Sequence, residues 1–181
     1  MRMIICFLFL LIFVGVHSQE PALGYTYFKY DNEGLHPREF TFEKDSLSAA
    51  QLYNDVKSSL ENTNKFLADF KSNITNIKPN ESFTFKGEFS MIFCVKGIVG
   101  PSCKDGSFEI DFIFRDGSYT MKPVKLKSGT FIELIPIEGR AIFYEKDGSL
   151  KKQFITFPVV VETMLNWIAF FSNYTPNINR D

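Results

Sequence analysis

The feature that most constrains the fold is a long alternation of apolar and polar side chains over residues 83–95. Apolar residues, most of them phenylalanine, occupy nearly every second position there, and the residues between them are mostly polar. Because successive side chains of a strand point to opposite faces, this period of two predicts a β-strand with one buried face. Residues 108–114 repeat the pattern, and Asp116-Gly117, a dipeptide typical of hairpin turns, precedes a return strand at 119–126. The chain is therefore expected to contain an antiparallel sheet with an aromatic face.

Two helices are predicted, one before and one after these strands. Ser48 and Gln51 have the spacing of a capping box, which marks a helix start. Apolar residues then recur at steps of three, four and seven, at Leu52, Tyr53, Val56, Leu60, Leu67 and Phe70. We expect this helix to end near Ser72, before asparagine-rich residues. A second helix is expected after Pro158, with Thr156 as its cap, and its apolar residues lie nearly all round, so it must pack inside the protein.

Shorter segments complete the predicted order of elements. Residues 39–43 form a short strand before the first helix, and residues 130–137 and 140–145 form a further strand pair, followed by a turn at Asp147-Gly148. The order strand, helix, four or five antiparallel strands, helix predicts an α+β domain with two helices packed on one face of a curved antiparallel sheet. A single domain of this kind is expected over residues 38–172.

The N-terminus has the pattern of a secretory signal peptide over residues 1–18. Arg2 precedes a short apolar run, and compact residues lead to a polar break at Gln19. The run is too short to span a bilayer comfortably, so we expect cleavage, with no transmembrane segment left. The protein is therefore expected to be exported, either periplasmic or secreted. Residues 19–37 are then a leader that either adds an edge strand or stays loose, and residues 173–181 are a polar tail.

The cysteines suit an exported protein. Cys6 leaves with the signal peptide, so Cys94 and Cys103 remain as an even pair in an oxidising compartment. They bracket residues 95–102, which contain the glycine and proline of a turn. We expect a structural disulfide, which would stabilise the fold by about 2–3 kcal/mol in the chain-entropy model.

The sequence offers little from which to build an active site. After signal removal His36 is the single histidine, so it is the sole candidate base for a Ser-His-Asp triad, and it is more simply a solvated loop side chain. Glu109 and Asp111 have the spacing of paired carboxylates, but they alternate with apolar residues as the wet face of a strand would. A net charge of −1 leaves no basic stripe for nucleic acid. We expect no catalysis, no metal, no cofactor and no nucleic-acid partner.

Three stretches together resemble a known family. They are Ala50-Gln51-Leu52-Tyr53 in the first helix, residues 108–119 in the central hairpin and Met164-Leu165-Asn166-Trp167-Ile168 in the last helix. The pattern is similar to that of the DUF4468 domains of Bacteroidetes, described as having a TBP-like fold, and the resemblance covers residues 38–172. It implies a TBP-like, helix-grip-like arrangement in the order β-α-β4-α. The family has no assigned activity, so the resemblance implies no functional residues, and the shape alone does not imply DNA binding.

The 21 phenylalanines exceed the needs of a small core, which motivates an apolar cleft between the last helix and the sheet. Its candidate lining residues are Phe66, Phe70, Phe89, Phe93, Phe112, Phe114, Trp167 and Phe171. The first hypothesis is a binding or interaction module of the cell envelope or periplasm, whose partner is an envelope protein or a small apolar ligand. The alternative is a carrier of a small hydrophobic ligand in this cleft, and an uncharacterised enzyme ranks last. Sequons at Asn73, Asn80 and Asn173 would carry glycans in a eukaryote and otherwise arise by chance.

Overall fold

A computed structural model describes residues 26–63, 71–96, 100–128, 132–135, 143–154 and 157–173. The predicted signal peptide, the helix cap at Thr156 and most of the predicted tail lie outside the described residues. The elements in chain order are β1 Lys29–Asp31, β2 Gly34–His36, β3 Phe40–Glu43, α1 Ala49–Thr63, β4 Lys71–Lys78, β5 Ser82–Lys96, β6 Pro101–Arg115, β7 Ser118–Ser128, β8 Ile132–Ile135 and α2 Val159–Asn173.

The main sheet is antiparallel throughout, in the order β3-β7-β6-β5-β4, with β8 also paired to β7. The predicted turn at Asp116-Gly117 joins β6 to β7, and Gly117 has a φ of 79°, a backbone conformation that glycine adopts without strain. The same turn supports α1, because the Asp116 carboxylate accepts a hydrogen bond of 2.8 Å from the Ala49 amide. The α+β fold class predicted from the sequence is confirmed.

The core lies between the two helices and one face of this sheet. Its fully buried strand residues are mostly aromatic: Phe83, Phe85, Phe108, Ile110, Phe112, Tyr119, Met121 and Leu126. Leu52, Val56 and Leu60 of α1 are also buried, and the ring of Tyr53 packs edge-on against Phe83 at a centroid distance of 5.6 Å. Edge-on contacts of this kind add to the stabilisation from apolar burial. The aromatic face inferred from the alternation is therefore the core face.

The opposite face of the sheet carries polar ladders. Glu109 lies between Lys86 and Lys125 on the two neighbouring strands, with N···O distances of 3.1 Å and 3.4 Å. Asp111 accepts a hydrogen bond of 2.7 Å from the hydroxyl of Thr84. The two carboxylates are thus held in cross-strand pairs, as expected for the wet face of a half-buried sheet.

Helix α1 begins as predicted. The Ser48 amide donates to the Gln51 side-chain oxygen at 2.9 Å, and the Gln51 amide donates to the Ser48 hydroxyl at 3.3 Å, which is a capping box. The expected helix end near Ser72 is wrong, because Lys71–Lys78 forms β4 and pairs with β5. Burial alternates over the first four residues of β4, where Ser72 and Ile74 are partly buried and Lys71 and Asn73 are exposed, and Thr75 is partly buried as well. The few apolar residues of β4 made this alternation weak in the sequence.

The leader differs from the expected edge strand. Strands β1 and β2 pair with each other in a separate two-stranded sheet. We call residues 26–36 the N-terminal strap. It is held on α2 by Asn166, whose side-chain oxygen accepts hydrogen bonds from the amides of Tyr27 (2.7 Å) and Phe28 (2.9 Å). The Glu162 carboxylate accepts a further bond of 2.8 Å from the Tyr30 amide.

The segment between β8 and α2 also departs from the prediction. Of the strand expected over residues 140–145, the described part begins at Phe143, and Tyr144 makes an isolated bridge with Leu150 and has no pairing with β8. The intervening turn at Asp147-Gly148 is present, with Gly148 at a φ of 86°. Phe143 stacks on Phe157 at a centroid distance of 4.2 Å, which ties this segment to the start of α2. Aromatic packing and isolated bridges, one of them between Val95 of β5 and Phe154, therefore hold this segment.

Candidate functional site: an apolar cleft between the helices and the sheet

An apolar cleft of about 290 Å³ opens between α1, α2 and β5. Strand β5 provides Phe85 and Phe89, and α1 provides Leu60. The remaining described lining residues all come from α2: Val159, Val160, Thr163, Met164, Trp167, Ile168 and Phe171. We call this site the apolar cleft.

The spacing of residues along α2 explains how one helix makes most of the cleft wall. Val160, Met164, Ile168 and Phe171 follow one another at steps of four and three, so they lie on one side of the helix. Asn166 belongs to a different side, which contacts the N-terminal strap. Helix α2 is therefore covered on its core side and on its strap side, and a third side borders the cleft.

Gly87 shapes the sheet beside the cleft. It lies between Phe85 and Phe89 on the core face of β5 and pairs with Phe108 of β6. A Cβ at position 87 would lie 2.5 Å from the Phe108 ring, so the missing side chain lets that ring fold over the strand. Phe108 is 2% exposed and packs against both neighbouring phenylalanines. The glycine thus closes the core at this point and leaves Phe89 on the cleft wall.

The chemistry of the lining is almost entirely hydrocarbon. Thr163 contributes the one polar side chain among the described residues that line the cleft. Two apolar side chains remain strongly exposed there, Val159 at 63% and Trp167 at 38%. The indole of Trp167 also contacts the ring of Phe171 edge-on at 5.6 Å. Such a concave apolar surface can bind nonpolar groups.

The structure brings together three of the predicted lining residues: Phe89, Trp167 and Phe171. Phe66 and Phe70 lie outside the described residues, as does the side chain of Phe93, whose backbone belongs to β5.

Phe112 and Phe114 lie in the closed core, at 0% and 5% exposure, and do not line the cleft. They occupy the same face of the sheet as Phe89, but α1 covers their part of it, where Tyr53 packs on Phe114 at 5.4 Å. The prediction of a lining role for these two residues is therefore not supported by their positions.

Sequence reasoning missed the aliphatic part of the lining. Val160 and Met164 lie seven and three residues before Trp167, and Ile168 lies four residues after Met164, so a helical projection of α2 would have found them. Leu60 gave no such signal, because its place depends on how α1 packs against α2. Apolar residues near a cleft and in a core have the same local pattern.

Titratable groups with shifted pKa values lie away from the cleft. Partial burial raises the pKa of Glu109, but hydrogen bonds and charges from Lys86 and Lys125 outweigh it and hold this pKa below its usual value. Burial raises the pKa of Tyr144 to about 12, with smaller contributions from Asp31 and Glu162. Glu109 belongs to the ion pairs on the polar face of the sheet, and Tyr144 belongs to the core.

His36 is on the N-terminal strap, far in sequence from the cleft lining, and its Nε2 lies 3.5 Å from a carboxylate oxygen of Asp31. Its side chain is about half exposed, at 49%. Within the described ranges, no group of three or more histidine, cysteine, aspartate or glutamate residues could hold a metal ion.

The predicted disulfide is confirmed. Cys94 of β5 and Cys103 of β6 are paired across the two strands, and their Cα atoms are 4.0 Å apart. The bond therefore joins the strands of a hairpin whose paired residues extend beyond it to Lys96 and Pro101. In the part of the chain that the structure describes, neither helix is long and apolar enough to cross a membrane.

Two solved structures are similar to this fold. One is a DUF4468 family protein from Bacteroides ovatus, with a TM-score of 0.48 and 11% identity, covering 75% of this chain and 78% of that chain. The other is a TBP-like protein from Parabacteroides distasonis, with a TM-score of 0.44 and 11% identity, covering 76% of this chain and 92% of that chain. The first carries the name of the family that the sequence motifs resemble. No family model and no curated protein matches the chain.

Proposed function

We propose that the protein is an exported, non-enzymatic binding domain and that the apolar cleft is its binding site for a hydrophobic ligand. The observation that carries this proposal is the lining itself, a concave surface of aliphatic and aromatic side chains in which Val159 and Trp167 remain exposed. Apolar surface in contact with water is unfavourable by about 25 cal/mol per Å², so a ligand that covers it gains free energy. Carriage of a small hydrophobic ligand is therefore favoured over catalysis.

The size of the cleft supports a small ligand. At about 290 Å³ it is near the lower end, roughly 300 Å³, of typical ligand pockets. Such pockets are mostly apolar with a few polar groups, and here Thr163 supplies the hydroxyl among the described lining residues. A small apolar molecule, or one apolar part of a larger molecule, is the occupant that matches both properties.

Export is the second part of the proposal. The signal-peptide pattern over residues 1–18 and the Cys94–Cys103 disulfide both suit an oxidising compartment outside the cytoplasm. We place the binding domain at residues 38–172, with the N-terminal strap docked on it through α2. The periplasm or the extracellular medium is then where the ligand would be met.

The test uses Trp167, which is the single tryptophan of the chain and lies on the cleft wall. The chain from Gln19 onward is titrated with phenylnaphthylamine, an uncharged apolar dye. We expect saturable binding with energy transfer from Trp167 to the dye. The variant Val160→Phe places a ring inside the cleft and is expected to weaken binding at least tenfold.

The matched control is Ile113→Phe, which makes a similar change at a residue 39% exposed on the polar face of the sheet. Its affinity for the dye is expected to equal that of the unmodified protein. Equal affinities for all three proteins, or binding that never saturates, would show that the cleft is not the binding site.

A further inference from the structure

We infer that the ligand of the apolar cleft is a single aliphatic chain, the hydrocarbon tail of an amphiphile whose head group stays in water. This inference rests on the proposed function and makes it more specific. The ligand has one hydrocarbon chain rather than two, and this chain is aliphatic. The affinity does not depend on the charge of the head group.

The volume limits the occupant to one chain. An engineered apolar cavity of about 150 Å³ holds one benzene molecule, and the cleft, at about 290 Å³, is roughly twice that size. A diacyl lipid would leave most of one tail exposed to water, and the gain from covering apolar surface would be lost for that tail. One chain of moderate length fills the space.

The lining determines where the head group must lie. Leu60 and Phe85 line the cleft from α1 and β5, Met164 lines it from α2, and none of the described lining residues carries a charge. Burying an ionised group without a partner costs several kcal/mol, so a charged head group is excluded from the interior. The exposed side chains of Val159 and Trp167 show that the cleft is open to solvent at its rim. A tail can therefore enter while its head group remains hydrated outside.

The cleft lining combines a flexible side chain with aromatic rings, and both can pack against an aliphatic chain. Met164 is unbranched and adapts to irregular shapes, while Phe89 and Trp167 present ring surfaces against which methylene groups can pack. Each methylene transferred from water contributes about 0.8 kcal/mol, which is about a fourfold gain in affinity. Affinity should rise with chain length until the cleft is full and then level off.

The experiment is a titration followed by Trp167 fluorescence, below the micelle concentration of each probe and at constant salt. Three series are compared at matched chain lengths: straight-chain alcohols, carboxylates and alkyltrimethylammonium ions. We expect affinity to rise about fourfold per methylene, with a common plateau and less than a threefold difference between head groups. The variant Thr163→Lys, which adds a charge on the cleft wall, should bind carboxylates at least fivefold more tightly than the ammonium series.

The outcomes separate this inference from the proposed function. If phenylnaphthylamine binds but affinity is independent of chain length, or one charged series binds more than tenfold better than the alcohols, the single-chain inference is wrong and the binding site stands. If neither the dye nor any chain binds, both are wrong. Preference for a diacyl probe over a single-chain probe with the same head group would also overturn the inference.

Discussion

Asn166 is the residue whose loss should most clearly separate the N-terminal strap from the rest of the fold. It is 5% exposed and is one of the buried residues of α2, most of which are apolar. Its side-chain oxygen accepts hydrogen bonds from the amides of Tyr27 and Phe28, and its side-chain nitrogen donates to the Phe28 carbonyl at 2.9 Å. Substitution by alanine removes all three bonds and leaves three backbone groups without these partners.

The expected loss follows from the burial of those groups. An unsatisfied buried donor or acceptor costs about 1–3 kcal/mol, and the low end applies to Tyr27, which is only partly buried. Phe28 is fully buried, at 0% exposure, so its two groups lie nearer the middle of that range. We expect Asn166→Ala to lower the free energy of unfolding by about 5 kcal/mol if all three groups stay buried. The backbone amides of the strap should also lose their protection from hydrogen exchange.

The assay is urea unfolding followed by circular dichroism, combined with hydrogen exchange of the strap amides. Asn54→Ala is the matched control, because Asn54 is exposed on α1 and alanine is a better helix former, so its effect should stay within about 0.5 kcal/mol. The reasoning is refuted if Asn166→Ala changes stability no more than this control while Tyr27 and Phe28 stay protected. A small change with lost protection would show that the strap detaches locally.

Three further predictions concern the sheet. Gly87→Ala should lower the free energy of unfolding by about 1–3 kcal/mol in urea, because the new Cβ overlaps the Phe108 ring, and an unchanged midpoint would contradict the packing described. Replacing Cys94 and Cys103 together by serine should cost about 2–3 kcal/mol, measured against the oxidised protein without reductant. The pKa of Glu109 is lowered in the fold, so its contribution to stability is present above its unfolded pKa and is lost as the pH falls through its folded pKa. That contribution is below about 1 kcal/mol because the ion pairs of Glu109 are partly exposed. The difference in unfolding free energy between the unmodified protein and Glu109→Gln should therefore shrink as the pH is lowered and should not shrink as the pH is raised.

The parts of the fold that could be predicted are those whose signal is local and repeated. The alternation along β5 and β6 gave both strands and their buried face, and the capping box gave the start of α1. Strand β4 was missed because it lies at an edge and buries little, so Ile74 was too weak a sign of its period. Tertiary pairing with β5 decides its conformation.

The docking of the strap could not be predicted from the sequence, because it also depends on tertiary contacts. Asn166 looks like a polar interruption in an apolar helix until Phe28, distant in the chain, is placed beside it. The sequence predicted an apolar cleft between the last helix and the sheet, but it predicted only some of the residues that line it. Phe89 and Phe112 lie on the same face of the sheet, and which of them borders open space depends on where α1 and α2 rest.

Helix α2 joins two sites that face in different directions. Asn166 holds the N-terminal strap, and the next residue along the chain, Trp167, forms part of the cleft wall. A force applied to the strap would therefore reach the wall of the apolar cleft through a single helix. Tension on the N-terminal end, from a surface or a fusion partner, would therefore act on the helix that borders the cleft.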